Sequence, residues 1–348
     1  MPDGPMPSKM IRTTADLVAA GLVRAAEAPA LDAVAARYAV AITPAMQALI
    51  EDAQDPIARQ FVPDAAELDL AAHEHPDPIG DDAFSPLPGI VHRYPDRVLL
   101  KPLLVCPVYC RFCFRREHVG PGGGVLTASQ TEAALDYIRA RPAIREVVLT
   151  GGDPLMLSPR RLRALLDALA AIPHIELLRI HTRVPVADPG RVTPALAEAL
   201  AVDAPLWLVV HANHAREFTP EARTALRRVG ARGVPLLGQS VLLRGVNDSA
   251  EALEALFRAM LRARVKPYYL HQLDPAPGTA RFHVPVAEGQ ALMGALRGRV
   301  TGLAWPTYVL DIPGGHGKVP IGPEYLDADT VRDPWGHAHA LAASPAAS

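Results

Sequence analysis

From residue 97 to residue 311, short runs of apolar and β-branched residues alternate with amphipathic helical stretches. This alternation restricts the fold more than any other feature of the chain. The strand runs are "RVLLKPLLV", "EVVLT", "LLRIHTR", "LWLVVHA", "PLLGQSVLL" and "PYYLHQL". Patterns of helical period lie between them, among them "SPRRLRALLDALAAI", "TPEARTALRRVGA" and "SAEALEALFRAMLRA". Six strand-then-helix units at this spacing predict an α/β fold whose parallel sheet curls into a full or partial barrel. A further strand, "TYVLDIPGG", follows the last helix.

Upstream, residues 8 to about 75 carry helical periodicity with Ser, Thr and Pro where helices start. The Pro- and Asp-rich "HPDPIGDDAFSPLPGIVHRYPDR" reads as a connector across a surface. The expected organisation is an N-terminal helical region and connector over 1–90, the barrel over 91–305, and a C-terminal segment over 306–348. The tail "AHALAASPAAS" has the composition of disorder.

In βα architectures the chemistry collects in loops at the carboxyl ends of the strands. The unusual residues fall there. Cys106 follows the first strand, Gly151, Gly152 and Asp153 the second, Asp274 the sixth, and "DIPGGHGK" the last. Several functions are excluded by composition. A net charge of -2 gives no footprint for nucleic acid. No apolar run approaches the roughly 18 residues of a membrane span. The opening "MPDGPMPSKMIRTTADLV" lacks the basic-then-apolar pattern of a secretion signal. All three cysteines of the 348-residue chain lie in one stretch, "CPVYCRFC", which argues against a disulfide framework. A cytoplasmic, reducing compartment is the expectation.

Thiolates hold soft metals and iron–sulfur clusters. Cys106, Cys110 and Cys113 on a four-iron cluster would leave one iron without a protein ligand, open to a small molecule. A zinc knuckle completed by His118, or plain buried cysteines, are the alternatives. The spacing CxxxCxxC resembles that of the radical S-adenosylmethionine (SAM) enzymes, in which the open iron binds the methionine end of SAM and the reduced cluster cleaves it to a deoxyadenosyl radical. "LTGGDPLML" resembles their glycine-rich SAM segment, which assigns Gly151, Gly152 and Asp153 to SAM, although a Gly-Gly-Asp turn is also common in βα loops.

Lys318 follows a Gly-Gly-His-Gly turn at a strand end, a setting for Schiff-base chemistry. Together, "HRYPDRVL", CxxxCRxCxRR, "GQSVLLRGVND", "RVKPYYLHQLD" and "DIPGGHGKVP" resemble the lysine 2,3-aminomutase family from residue 77 to residue 325. The resemblance implies a radical SAM partial (β/α)6 barrel with a C-terminal extension carrying the lysine of pyridoxal 5′-phosphate (PLP). It implies a [4Fe-4S] cluster, SAM and PLP as cofactors, and L-lysine converted to β-lysine by moving nitrogen from C2 to C3. Lys318 would hold PLP, with Arg93, Tyr94 and Arg97 around it; the bland reading of those three is a charged turn before a strand. His211 and Gln239 would lie near SAM. Arg115 would pair with the substrate carboxylate, and Asp274 and Asp311 with its distal ammonium.

Relatives specific for glutamate should lack that acidic pair, whereas arginine would also satisfy it. Supply of β-lysine for modification of elongation factor P is a further alternative, as is a non-catalytic, translation-associated protein on a decayed barrel. The expected partners are the free amino acid, an electron donor such as flavodoxin or ferredoxin, and further copies of the chain as a homo-oligomer. Better-known members carry a cysteine after "GVND" and others near the C-terminus, for zinc. Here Ser249 stands after "GVND", so that zinc site cannot form. His316 interrupts the usual glycine run.

Overall fold

The computed structural model describes residues 9–120, 123–327 and 330–340. A nine-stranded sheet holds the chain together, and its strands lie side by side in sequence order. They are β1 (Ile90–Tyr94), β2 (Arg97–Leu103), β3 (Glu146–Gly151), β4 (Leu177–Thr182), β5 (Leu206–His211), β6 (Leu236–Val241), β7 (Lys266–His271), β8 (Thr307–Asp311) and β9 (Lys318–Pro320). From β2 to β8 every pairing is parallel. The two outermost strands are antiparallel to their neighbours. β1 and β9 do not pair with each other, so the sheet is the partial barrel anticipated from the alternation of elements.

The crossover helices form because each has an apolar stripe and a start signal. Ser158, Thr219 and Ser249 each accept a backbone N–H from the first turn of the helices Pro159–Ala170, Pro220–Gly230 and Ala250–Arg262. Ser249, the residue after "GVND", is thus a helix cap. The stripes contribute Leu162, Leu166, Leu169, Leu226, Val229, Leu256 and Phe257 to the main core against the outer face of the sheet. Burying each such side chain contributes about 1.5–3 kcal/mol.

Three expectations need correction. The N-terminal region is helical only in pieces. "TPAMQALIEDA" forms the helix Pro44–Gln47 and then turns, and Asp55 caps a new helix, Pro56–Phe61. These pieces close a second core around Leu17, Ile42, Met46, Ile57 and Phe61. The segment read as a surface connector contains β1 and the buried Asp81. In the tail, Ala338–Ala340 pairs antiparallel with Thr330–Arg332; residues 341–348 lie outside the described residues.

Candidate active site

Inside the barrel is a cavity of about 940 Å³. Along each strand alternate side chains face inward, and in β4 these are Leu177, Arg179 and His181. The cavity is lined by all three cysteines, Gly151, Gly152 and Asp153, His211 and Gln239, Arg93, Tyr94 and Arg97, and Arg115, Asp274, Asp311 and Lys318. Every residue that the resemblance assigns to a cofactor or to the substrate therefore reaches one space.

The N-terminal region grips the cysteine loop. Tyr109 and Arg111 donate their backbone N–H groups to the carbonyls of Ala41 and Gln60, at 2.9 Å each. The Arg111 side chain is fully buried and ion-paired to Glu67. Arg116 and Arg281 reach the same carboxylate. Burial pushes the Glu67 carboxyl up, but the three guanidinium groups, Arg111 first, hold it below its usual range. Removing one member of such a buried set costs about 3–5 kcal/mol, so the loop is firmly anchored.

The thiols face the cavity in one another's field. Burial, and then Asp153 and the other two cysteines, push Cys106 well up; burial and Cys110 push Cys113 up to about 11. Arg183 Nη1 donates to Cys110 Sγ at 3.0 Å. Among the described residues, no three His, Cys, Asp or Glu side chains converge closely enough for a single metal ion.

The glycine segment is shaped by contact with this loop. A Cβ on Gly152 would lie 2.5 Å from the Val105 carbonyl oxygen, and one on Gly151, at φ +101°, 2.8 Å from Lys101 Cβ. Asp153 lines the cavity, but the protein fills its acceptor sites. Thr182 Oγ1 donates at 2.7 Å, and the N–H groups of Leu155, Arg183 and Val184 at 3.0, 2.7 and 3.1 Å. A carboxylate offers about four lone-pair positions. Asp153 thus braces the end of β3 against that of β4, and an incoming ammonium would meet the glycine backbone instead. His211 and Gln239 are register partners on adjoining strands. His211 Nε2 contacts Asn213 Oδ1 at 3.2 Å, and burial, then Arg183, keep the ring neutral.

The lysine lines the same cavity. Gly314, Gly315 and Gly317 all adopt positive φ, while His316 does not. An L residue is therefore tolerated at that one place in the run. The turn sets Lys318 opposite Asp311 in the β8–β9 register. Lys318 Nζ is ion-paired to Asp311 and lies 3.2 Å from His271 Nδ1. Its backbone N–H donates to Tyr94 Oη at 2.8 Å. Burial pushes Asp311 up, yet His271 and Lys318 bring it down to about 2. Burial, followed by the Lys318 charge, lowers His271 to about 4.

Asp274 is different. Its Oδ1 is sealed from solvent with no hydrogen-bond partner. Burial and then the charge of Asp311 push its carboxyl up to about 7. Nearby, Asp81 accepts from Arg93 at 3.0 Å and from Arg115 Nε and Nη2 at 3.0 and 2.7 Å. One edge of the Arg93 and of the Arg115 guanidinium is therefore held by an acid that the sequence reading placed on a surface. Arg97 stacks 3.7 Å from the centre of the Tyr94 ring.

The sequence reading missed Asp81, Arg179, His181, Arg183 and His271. Apart from Asp81, their only signal was a polar residue at an inward position of a strand, or just past its end. His181 and His271 each bury an Nε2 without a partner.

Residues 100–257 match the radical SAM superfamily, and residues 293–332 match the C-terminal region described as lysine-2,3-aminomutase. The chain is 43% identical over 289 residues to the L-lysine 2,3-aminomutase of Clostridium subterminale, covering 82% of this chain and 70% of that one. It belongs to the lysine 2,3-aminomutase family. The enzyme of that name from Acetoanaerobium sticklandii is equally similar, at 43% over the same share of each chain. The glutamate 2,3-aminomutase of Clostridioides difficile is 37% identical over 84% of this chain and 70% of that one.

Family membership makes the chain an isomerase and brings a [4Fe-4S] cluster, SAM and PLP. The residues fit all three. Three thiols without a fourth suit a cluster with one open iron. The glycine segment, His211 and Gln239 flank the cysteine side of the cavity. Lys318 lines the same cavity as Arg93 and Arg97, with its backbone N–H on the Tyr94 hydroxyl.

Proposed function

We propose that the chain moves the α-amino group of free L-lysine from C2 to C3. Family membership leaves the substrate open, because a glutamate enzyme is also among the relatives. The observation that carries the reading is Asp274, a carboxyl with a sealed, unpartnered oxygen, beside a second carboxylate, Asp311. A buried charge is tolerated only when paired. A cationic side chain supplies that pair, whereas the carboxylate of glutamate would add to the repulsion.

The geometry supports these roles. When bound, the cluster and SAM supply a carbon radical that removes hydrogen, and PLP supplies the π bond across which nitrogen moves. Lys318 holds PLP. Asp311 and His271 Nδ1, the latter at 3.2 Å, orient its nitrogen. Asp311 and Asp274 would pair with the distal ammonium of the substrate. Arg115, aligned by Asp81, offers its remaining edge to the substrate carboxylate. Arg93, Tyr94 and Arg97 surround PLP, the arginines toward its phosphate. Gly151 and Gly152, His211 and Gln239 border SAM.

The electron comes from a flavodoxin- or ferredoxin-like donor in the cytoplasm, and the enzyme works as a homo-oligomer without the zinc site. Among the described residues no helix is long and apolar enough to cross a membrane.

Anaerobic protein reconstituted with iron, sulfide and PLP should convert lysine to β-lysine in the presence of SAM and reductant. Glutamate and arginine serve as the competing substrates. Efficient turnover of glutamate would overturn the lysine assignment.

A further inference from the structure

Arg183 lies just past the end of β4, in neither the cysteine motif nor the glycine segment, yet among the described residues it is the one whose side chain hydrogen-bonds a cysteine sulfur. It is 5% exposed. Nη1 donates to Cys110 Sγ at 3.0 Å. Nη2 is ion-paired to Glu217 at 2.9 Å and donates to Gln60 Oε1. The guanidinium also lies over the Phe61 ring, 4.6 Å from its centre. Glu217 and Gln60 are themselves fully buried, and Glu217 accepts the Asn213 and His214 N–H groups at 2.8 and 2.9 Å. Asp153 holds the backbone of Arg183 by its N–H. The guanidinium is thus fixed from several directions with one edge turned to sulfur.

We infer that Arg183 sets the reduction potential of the iron–sulfur cluster through Cys110, and so decides how readily a one-electron donor can start the reaction. This rests on the three cysteines holding that cluster. Reduction adds one electron from the donor and one negative charge to the cluster, shared with its thiolate sulfurs. A cationic N–H donor at one sulfur stabilises the reduced state more than the oxidised state, and hydrogen bonds to sulfur are among the factors that set such potentials. The Glu217 charge opposes the effect, but it meets the far side of the guanidinium. The donor at 3.0 Å prevails because it is nearer and the surroundings are of low dielectric.

The test uses reconstituted enzyme, with iron content and the electron paramagnetic resonance of the reduced wild-type cluster measured first. A wild type without that signal refutes the cluster itself, a separate failure. Given the signal, Arg183→Met should disfavour reduction by about tenfold, which is about 59 mV more negative for one electron. Arg183→Lys, which keeps the charge, should fall between the two. In wild type grown with arginine labelled with 15N at the guanidinium nitrogens alone, pulsed resonance should show a weak 15N coupling to the reduced cluster that is absent from Arg183→Met. That wild-type measurement remains available if the methionine variant fails to assemble. A midpoint shift below about threefold in Arg183→Met, or labelled wild type with no coupling, would overturn the inference.

Discussion

Replacing Asp274 with asparagine should make the protein more stable and nearly inactive. Its carboxyl rises from 3.8 to about 7 on folding. At 1.36 kcal/mol per pH unit, holding it ionised in the folded state costs about 4 kcal/mol at pH 8. The sign follows from linkage. A raised folded value lends stability below about pH 4 that is lost as the pH climbs through about 7. Asparagine removes that titration. Spread over the unfolding entropy of 348 residues, about 4 kcal/mol corresponds to about 6 °C in Tm. Substrate-free Asp274→Asn should therefore melt about 6 °C higher than wild type at pH 8, with the gap closing as the pH is lowered toward 4. Lysine turnover should change in the opposite sense. Loss of one partner of a buried pair, about 3–5 kcal/mol, becomes a fall of about a hundred- to several-thousand-fold in kcat/KM. Paired calorimetric scans at pH 8 and pH 5.5, with β-lysine assays on the same preparations, check both. A variant no more stable than wild type at pH 8, or one turning over lysine within about threefold, would refute the reasoning.

Two more outcomes concern the cofactors. Borohydride should fix PLP to Lys318 and leave Lys318→Ala unlabelled, as peptide mapping would show; an adduct on Lys266, whose Nζ is held by the carbonyls of Pro267 and Trp305, would contradict the assignment. Gly152→Ala should lower iron content after reconstitution, because its Cβ would meet the Val105 carbonyl at 2.5 Å, whereas Gly190→Ala, with nothing within 4 Å, should not; equal iron content in the two variants would count against the contact.

The parallel sheet was legible because each strand announced itself by β-branched residues and each helix by an apolar stripe. The lysine and the cysteines were legible because glycines and spacing are rare enough to notice. Asp81 was not. A Pro- and Asp-rich stretch has the composition of a solvated loop, and only the fold reveals that Arg93 and Arg115 draw that carboxylate inside. Arg179 and His181 were hidden for a related reason. An inward polar residue on a barrel strand has the same period-two pattern as a residue facing water. The broken N-terminal helices follow from local competition, since Asp55 satisfies the N–H groups of Ile57 and Ala58 and restarts the helix where periodicity alone would continue it.

β1 and β9 are the two rims of an unclosed barrel, and the Tyr94 hydroxyl on one rim accepts the backbone N–H of Lys318 on the other. The glycine turn before Lys318 leaves no slack beside this seam: a Cβ on Gly80 would lie 2.6 Å from the Gly314 carbonyl carbon, and one on Gly315 2.4 Å from the Phe84 ring. The residue that bears the reactive nitrogen is therefore also a stitch in the wall. Its side chain can be modified and released while its main chain keeps the rims together, so exchange of what the lysine carries does not require the barrel to part.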